Sequence, residues 1–210
     1  MMNIRTVSLR AVALSALLLS SSHAFAQQSP VSNTLRVRGA VESLDGETLR
    51  VKSRDGTEVA LHLPQDAGVA GVAKISLTDV KVGSYIGVTS VPDADGSQKA
   101  VEVHVFPEAM RGTGDGDHPW DLKPKSSMTN GAVDDRTVAG NDGHTLTVKY
   151  KGGERKVLVT PETTVVTFVP ATRAEIKAGT PIFAIATKKP DGTLDVARLS
   201  IGRDGVSPPM

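Results

Sequence analysis

The chain reads as an all-β protein: two tandem small OB-like β-barrels, each with one short helical turn, after a cleaved signal peptide. Three observations predict this. The first is a duplication. Asp45-Gly46-Glu47-Thr48-Leu49-Arg50-Val51 returns as Asp142-Gly143-His144-Thr145-Leu146-Thr147-Val148, and Pro64/Pro161, Gly83/Gly179 and Asp95-Gly96/Asp191-Gly192 keep nearly the same offset. A fixed shift across four landmarks marks an internal repeat. The second is alternation of apolar and polar residues with period two, the pattern of half-buried strands. The third is the start of the chain, where Arg5 and Arg10 form a basic stretch ahead of an apolar run over residues 11–19 that leads to Ala24-Phe25-Ala26. That order is the signature of an export signal cleaved after Ala26. The apolar run falls short of the roughly 20 residues a membrane-spanning helix needs.

The divisions that follow are 1–26 signal peptide, 33–106 first module, 107–130 ordered connector and 131–204 second module. In the first module Leu35, Val37, Gly39 and Val41 alternate with Arg36, Arg38, Ala40 and Glu42. Asp45-Gly46 turns the chain, Leu49 and Val51 resume the inward face, and Asp55-Gly56 supplies tight-hairpin chemistry. Val59, Leu61 and Leu63 form the third strand, which Pro64 ends. A loop of small residues over 66–71 leads to a short strand over 73–77. A single helical turn follows and closes at Gly83. Residues 85–91 and 99–106 make the last two strands. The second module repeats this order, with a hairpin over 145–160 through Gly152-Gly153 and a short strand over 164–168. The helical turn then spans 173–179, and strands over 181–187 and 194–201 follow. Short strands, one helical turn in the middle and no long helix point to a small barrel of the OB type.

These residues also carry a family likeness. Gly131-Ala132-Val133, the run 142–148, Ala174-Glu175-Ile176-Lys177-Ala178-Gly179 and Asp191-Gly192-Thr193-Leu194-Asp195-Val196-Ala197 resemble the repeats of domain of unknown function 5666. The first copy departs from that pattern at Thr78-Asp79-Val80-Lys81-Val82-Gly83, which follows a longer loop. The resemblance implies small OB-like barrels in an exported bacterial protein and implies no reaction.

Composition narrows the function. There is no cysteine, which excludes a lipoprotein anchor, a disulfide framework and thiolate chemistry together. Formal net charge is +1, and removing the two arginines of the signal turns it to −1, so nothing steers the whole molecule toward nucleic acid. Aromatics at 3% are too sparse for the girdles of an outer-membrane barrel, so the chain is not expected to be membrane-embedded. No nucleophile elbow, zinc-protease helix, phosphate loop or dinucleotide fingerprint occurs.

The connector departs from plain linker chemistry. It holds the only tryptophan, Trp120, beside Arg111, Asp115, Asp117, His118 and Asp121. A flexible linker needs no tryptophan. Trp120 is expected to dock the connector between the modules, either as a structural plug or, with His118, as the lining of a ligand groove where Arg111 pairs an anionic group. Asp115, Asp117 and His118, with Asp121, form an alternative metal site for calcium, zinc or copper. Arg36, Arg38, Arg50 and Lys52 share one strand face, either solvated or offered to an anionic envelope polymer. His62 and His104 alternate with apolar neighbours and are expected on outward faces. The expectation is a periplasmic, non-enzymatic binding or envelope-interaction protein of unknown ligand that uses no cofactor. Periplasmic metal handling is the alternative, and hydrolysis of an envelope polymer a more distant one.

Overall fold

The structure is a computed structural model that describes residues 33–139 and 143–208. The expected export signal over 1–26 and residues 140–142, the last of which opens the second copy's hallmark run, lie outside the described residues. Among the described residues there are fourteen strands: β1 (Thr34–Asp45), β2 (Thr48–Ser53), β3 (Glu58–His62), β4 (Gly68–Lys74), β5 (Tyr85–Pro92), β6 (Gln98–Val105), β7 (Gly116–Pro119), β8 (Ser127–Ala139), β9 (Gly143–Tyr150), β10 (Gly153–Val159), β11 (Thr164–Pro170), β12 (Pro181–Lys188), β13 (Leu194–Asp195) and β14 (Arg198–Gly202). The all-β class is as expected, with closed five-stranded pairing and further strands. Among the described residues no helix is long and apolar enough to cross a membrane.

The two helical turns appear as 3₁₀ turns, Leu77–Asp79 and Arg173–Glu175. Each starts with a reciprocal capping box, Ser76 with Asp79 and Thr172 with Glu175, which satisfies two otherwise orphaned amides. Gly83 and Gly179 then turn the chain at φ of 87° and 84°, a region that penalises any side chain.

Strand pairing closes two circuits. The first runs β1–β2–β3–β13–β12 and returns to β1. The second runs β5–β8–β9–β10–β6 and returns to β5. Each therefore takes its first three strands from one sequence copy and its last strands from the other. This corrects the division into modules 33–106 and 131–204, because the two copies exchange their final strands. The cores record the same exchange. Val37, Leu49 and Leu61 pack with Ile182, Ala184 and Leu199, whereas Ile86, Val88 and Val103 pack with Leu146, Val148 and Val157. Burying one such aliphatic side chain contributes about 1.5–3 kcal/mol.

β4 and β11 are where the copies cross. They pair antiparallel with each other, while β4 runs parallel to β14 and β11 parallel to β6. This moves the expected short strand forward, because Gly68, Ala70 and Gly71, assigned to a loop, become ladder members beside β14. Residues 194–201 are not one strand either. Val196 turns into the core, its amide bonds the His62 carbonyl at 2.9 Å, and the strand splits into β13 and β14. The longest strand of each circuit, β1 and β8, is bulged, at Val41/Ser43 and at Val133/Asp135, which bends it so that it pairs on both edges. The connector is shorter than expected, since β8 already begins at Ser127.

Candidate functional site

Alternation along β1, β12 and β14 turns Val37, Ala184 and Leu199 inward, so their neighbours form an outer face. One row across it is Arg36–Ile185, flanked by Arg198, which precedes Leu199 on β14; the next row is Arg38–Phe183–Ser200. The second circuit has a matching outer face with rows Met128–Thr89–Glu102 and Asn130–Gly87–His104. Between the two faces lies a cavity of about 580 Å³, within the roughly 300–1,000 Å³ of small-ligand sites. Phe106, Phe168, Phe183, Met128 and Trp120 give it an apolar wall, and among the described residues no carboxylate lines it. A second recess of about 420 Å³ at Gly39, Lys52 and Pro181 is walled by glycine, alanine and serine and has no aromatic side chain. Gly87 lets the side chains of Asn130, Phe106 and Met128, which line the larger cavity, pack closely over its backbone. A Cβ there would lie 2.6 Å from Asn130 Oδ1 and 3.1 Å from the Phe106 ring.

The connector closes one side. β7 pairs with β8, and its acidic residues act as clamps. Asp117 accepts from Thr129 Oγ1 at 2.7 Å and ion-pairs with Arg155. Asp115 accepts from the Lys151 amide at 2.6 Å and from the Tyr85 hydroxyl at 3.4 Å. Burial, with the Asp115 charge adding to it, pushes the Tyr85 phenol up to about 12, so it stays a neutral donor. Trp120 is held by its backbone amide on Ser126 O at 2.8 Å, and the Ser126 hydroxyl donates back to Trp120 O at 3.0 Å. The guanidinium of Arg36 lies 4.1 Å from the indole centroid, a cation–π distance. Arg38, 9% exposed, sits 4.9 Å from the Phe183 centroid and donates to Asp121 at 2.9 Å. Burial works against the Asp121 charge, yet the Arg38 hydrogen bond and the two arginine charges hold its carboxyl below the usual range. The Trp120 indole N–H is buried without an acceptor.

Of the residues the sequence singles out, Trp120 and His118 both line the cavity. Arg111 does not. It pairs with Glu108 at 2.7 Å and donates to the Gly83 carbonyl, a stabilising contact one helical step away that Glu108-x-x-Arg111 spelled out. Asp115, Asp117 and His118 do not converge either, because Lys151, Tyr85, Thr129 and Arg155 claim the two carboxylates. Among the described residues no three His, Asp or Glu side chains gather as metal ligands. Arg36 and Arg38 leave the expected basic face to engage Trp120 and Asp121, while Arg50 and Lys52 stay exposed.

His104 is a further correction. It does point away from its own core, but it is 1% exposed, with its ring 4.0 Å from that of Phe168 and 5.2 Å from that of Phe106. Glu102, also 1% exposed, lies 3.6 Å from His104 Nδ1. Glu102 Oε1 and both His104 ring nitrogens have no hydrogen-bond partner among the described residues. Such buried polar groups are costly to leave unsatisfied. They stand directly behind Phe106 and Phe168, two walls of the cavity. No family model, curated protein or solved structure matches this chain.

Proposed function

We propose that this is an exported, periplasmic, non-enzymatic binding protein whose ligand occupies the cavity between the two outer faces. The observation that carries the reading is the cavity itself, an aromatic and methionine-lined volume with a few polar groups at its edges, as in small-molecule sites. We take each circuit as an OB-like barrel. The long bulged strand and the capped 3₁₀ turn, repeated in both, support that assignment. Kinship with domain of unknown function 5666 rests on the turn and core residues quoted above and on no family match. The export reading rests on the basic start, the apolar run and Ala24-Phe25-Ala26. Metal handling loses its support once Asp115 and Asp117 are committed to other partners.

Titration with a neutral naphthylamine dye tests the reading. The protein should take up one dye molecule saturably, with quenching of the lone tryptophan. Trp120→Ala should keep the far-ultraviolet spectrum and weaken binding by about tenfold or more. A Trp120→Ala protein that melts would make the indole scaffold. Ile185→Lys, at a site 47% exposed and lining the cavity, then still decides the matter. Unaltered dye binding in that variant would refute the cavity.

A further inference from the structure

The cavity is apolar along its length and positive along one edge. Arg36 and Arg198 border it from the same outer row, with Ile185 between them, and His118 borders it from the connector. Their strands are two ladder steps apart, about 10 Å, a gap that two arginine side chains reaching toward each other can bridge. Arg198 is exposed and has no ion-pair or hydrogen-bond partner among the described residues. Arg36 stacks on Trp120 and makes a long ion pair with Asp121 Oδ2 at 3.8 Å, while Arg38 holds Asp121 Oδ1 at 2.9 Å. Arg198 thus faces the cavity without a counter-charge among the described residues, and Arg36 shares its single one, Asp121, with Arg38. Arg38 and Arg54 border the adjoining recess, which Arg36 also lines, and add to the positive field there; Asp121 and Asp55 offset part of it. Asp55 is occupied locally by the Thr57 amide and the Ser53 hydroxyl.

Resting on the cavity reading above, we propose that the ligand is an anionic amphiphile: a slim apolar body among Phe106, Phe168 and Phe183, with a carboxylate or phosphate head held by Arg36 and Arg198. Guanidinium forks suit both heads, because each presents paired oxygens to paired N–H donors. An apolar tail gains from burial against the phenylalanines, and the head keeps the two arginines from facing each other unneutralised.

Calorimetry on the full chain, backed by Trp120 emission, separates the outcomes. The probes are dodecanoate, dodecyl phosphate, dodecanol and inorganic phosphate, each below its aggregation limit and at one ionic strength. At least one of the two amphiphilic anions should bind about tenfold or more tighter than the alcohol, the gain of a charge-assisted pair. Arg198→Gln, an exposed change that spares the fold, should narrow that gap, and raised salt should narrow it further. Comparing dodecanoate with dodecyl phosphate tells which head is preferred. Dodecanol binding as tightly as both anions would overturn the anionic class and leave the cavity reading standing. Inorganic phosphate binding as tightly as dodecyl phosphate would overturn the amphiphile. No binding by any dodecyl probe would overturn the cavity reading itself.

Discussion

The two facing outer surfaces occupy equivalent positions in the two circuits and carry opposite chemistry. Adding 96 to Gly87, Thr89, Glu102 and His104 gives Phe183, Ile185, Arg198 and Ser200. The same shift on the inner faces turns Ile86, Val88, Val103 and Val105 into Ile182, Ala184, Leu199 and Ile201, all aliphatic. Across this shift the chemistry inside each circuit is kept, while that of the faces between them differs. One face is arginine-rimmed and partly open, the other a buried Glu–His pair backed by phenylalanine. The cavity arises where these unlike faces fail to fill each other. Core positions answer to packing, whereas these faces answer to each other and to whatever lies between them.

The sharpest way to break this comparison is to test the exchange that makes it. The chain has no cysteine, so introduced pairs report cleanly. Thr34 and Thr187 are exposed ladder partners. Thr34→Cys with Thr187→Cys should cross-link within one chain and raise stability by up to about 5 kcal/mol, the limit for so long a loop. Thr34→Cys with Val91→Cys, the pair that would meet if each copy closed its own barrel, should stay reduced. Cross-linking of the second pair and not the first, read by mass spectrometry, would dissolve the exchanged architecture.

A second change asks whether the Glu102–His104 face is more than packing. His104→Ala removes a ring between two phenylalanines and should lower stability by roughly 2–4 kcal/mol. Glu102→Leu with His104→Phe should instead be neutral or stabilising by about 1–3 kcal/mol in chemical denaturation, since apolar groups often replace a poorly satisfied buried pair without loss. A large loss in that double variant would mean the pair has partners beyond those described.

The smallest effect belongs to the seam between β3 and β13, where one backbone pair is backed by side chains. His62 Nδ1 lies 2.7 Å from Asp195 and its Nε2 3.4 Å from Glu47, with Lys189 3.3 Å from Asp195 on the other side. The Asp195 hydrogen bond, against some desolvation, raises the His62 pKa above its ordinary 6.5, and the same bond lowers that of Asp195 below 3.8. The His62 contribution is therefore full below about 6.5 and fades as pH rises through its raised value. The Asp195 contribution is full above about 3.8 and fades as pH falls through its lowered value. Melting temperature should fall modestly on the alkaline side, and His62→Gln should flatten that slope. An unchanged slope would remove His62 from the seam.

Much of the fold was legible in the chain. The turns at Asp45-Gly46 and Asp95-Gly96, the capped 3₁₀ turns and the inward residues of most strands follow from local chemistry and period-two alternation. The connector's tryptophan and histidine stood out in the sequence, and both line the cavity, but a structural plug and a ligand wall read alike there. The aspartates of that connector misled, because carboxylates that clamp a loop and carboxylates that bind a metal look alike until their partners are known. The alternation of His104 placed it correctly outside its own core, but whether an outward side chain meets water or Phe168 is set by a neighbour many residues away.

By itself the sequence determined a duplicated β-rich chain, its turns and the two sets of aliphatic side chains that become cores. Which copy supplies the closing strands was decided only in three dimensions. The reason is that β5 and β12 present similar aliphatic inward side chains, Ile86 and Val88 against Ile182 and Ala184, so local pattern does not tell β1 which to pair with. The choice falls to the long-range contacts of β4 with β11, of the connector with β8, and of one outer face with the other.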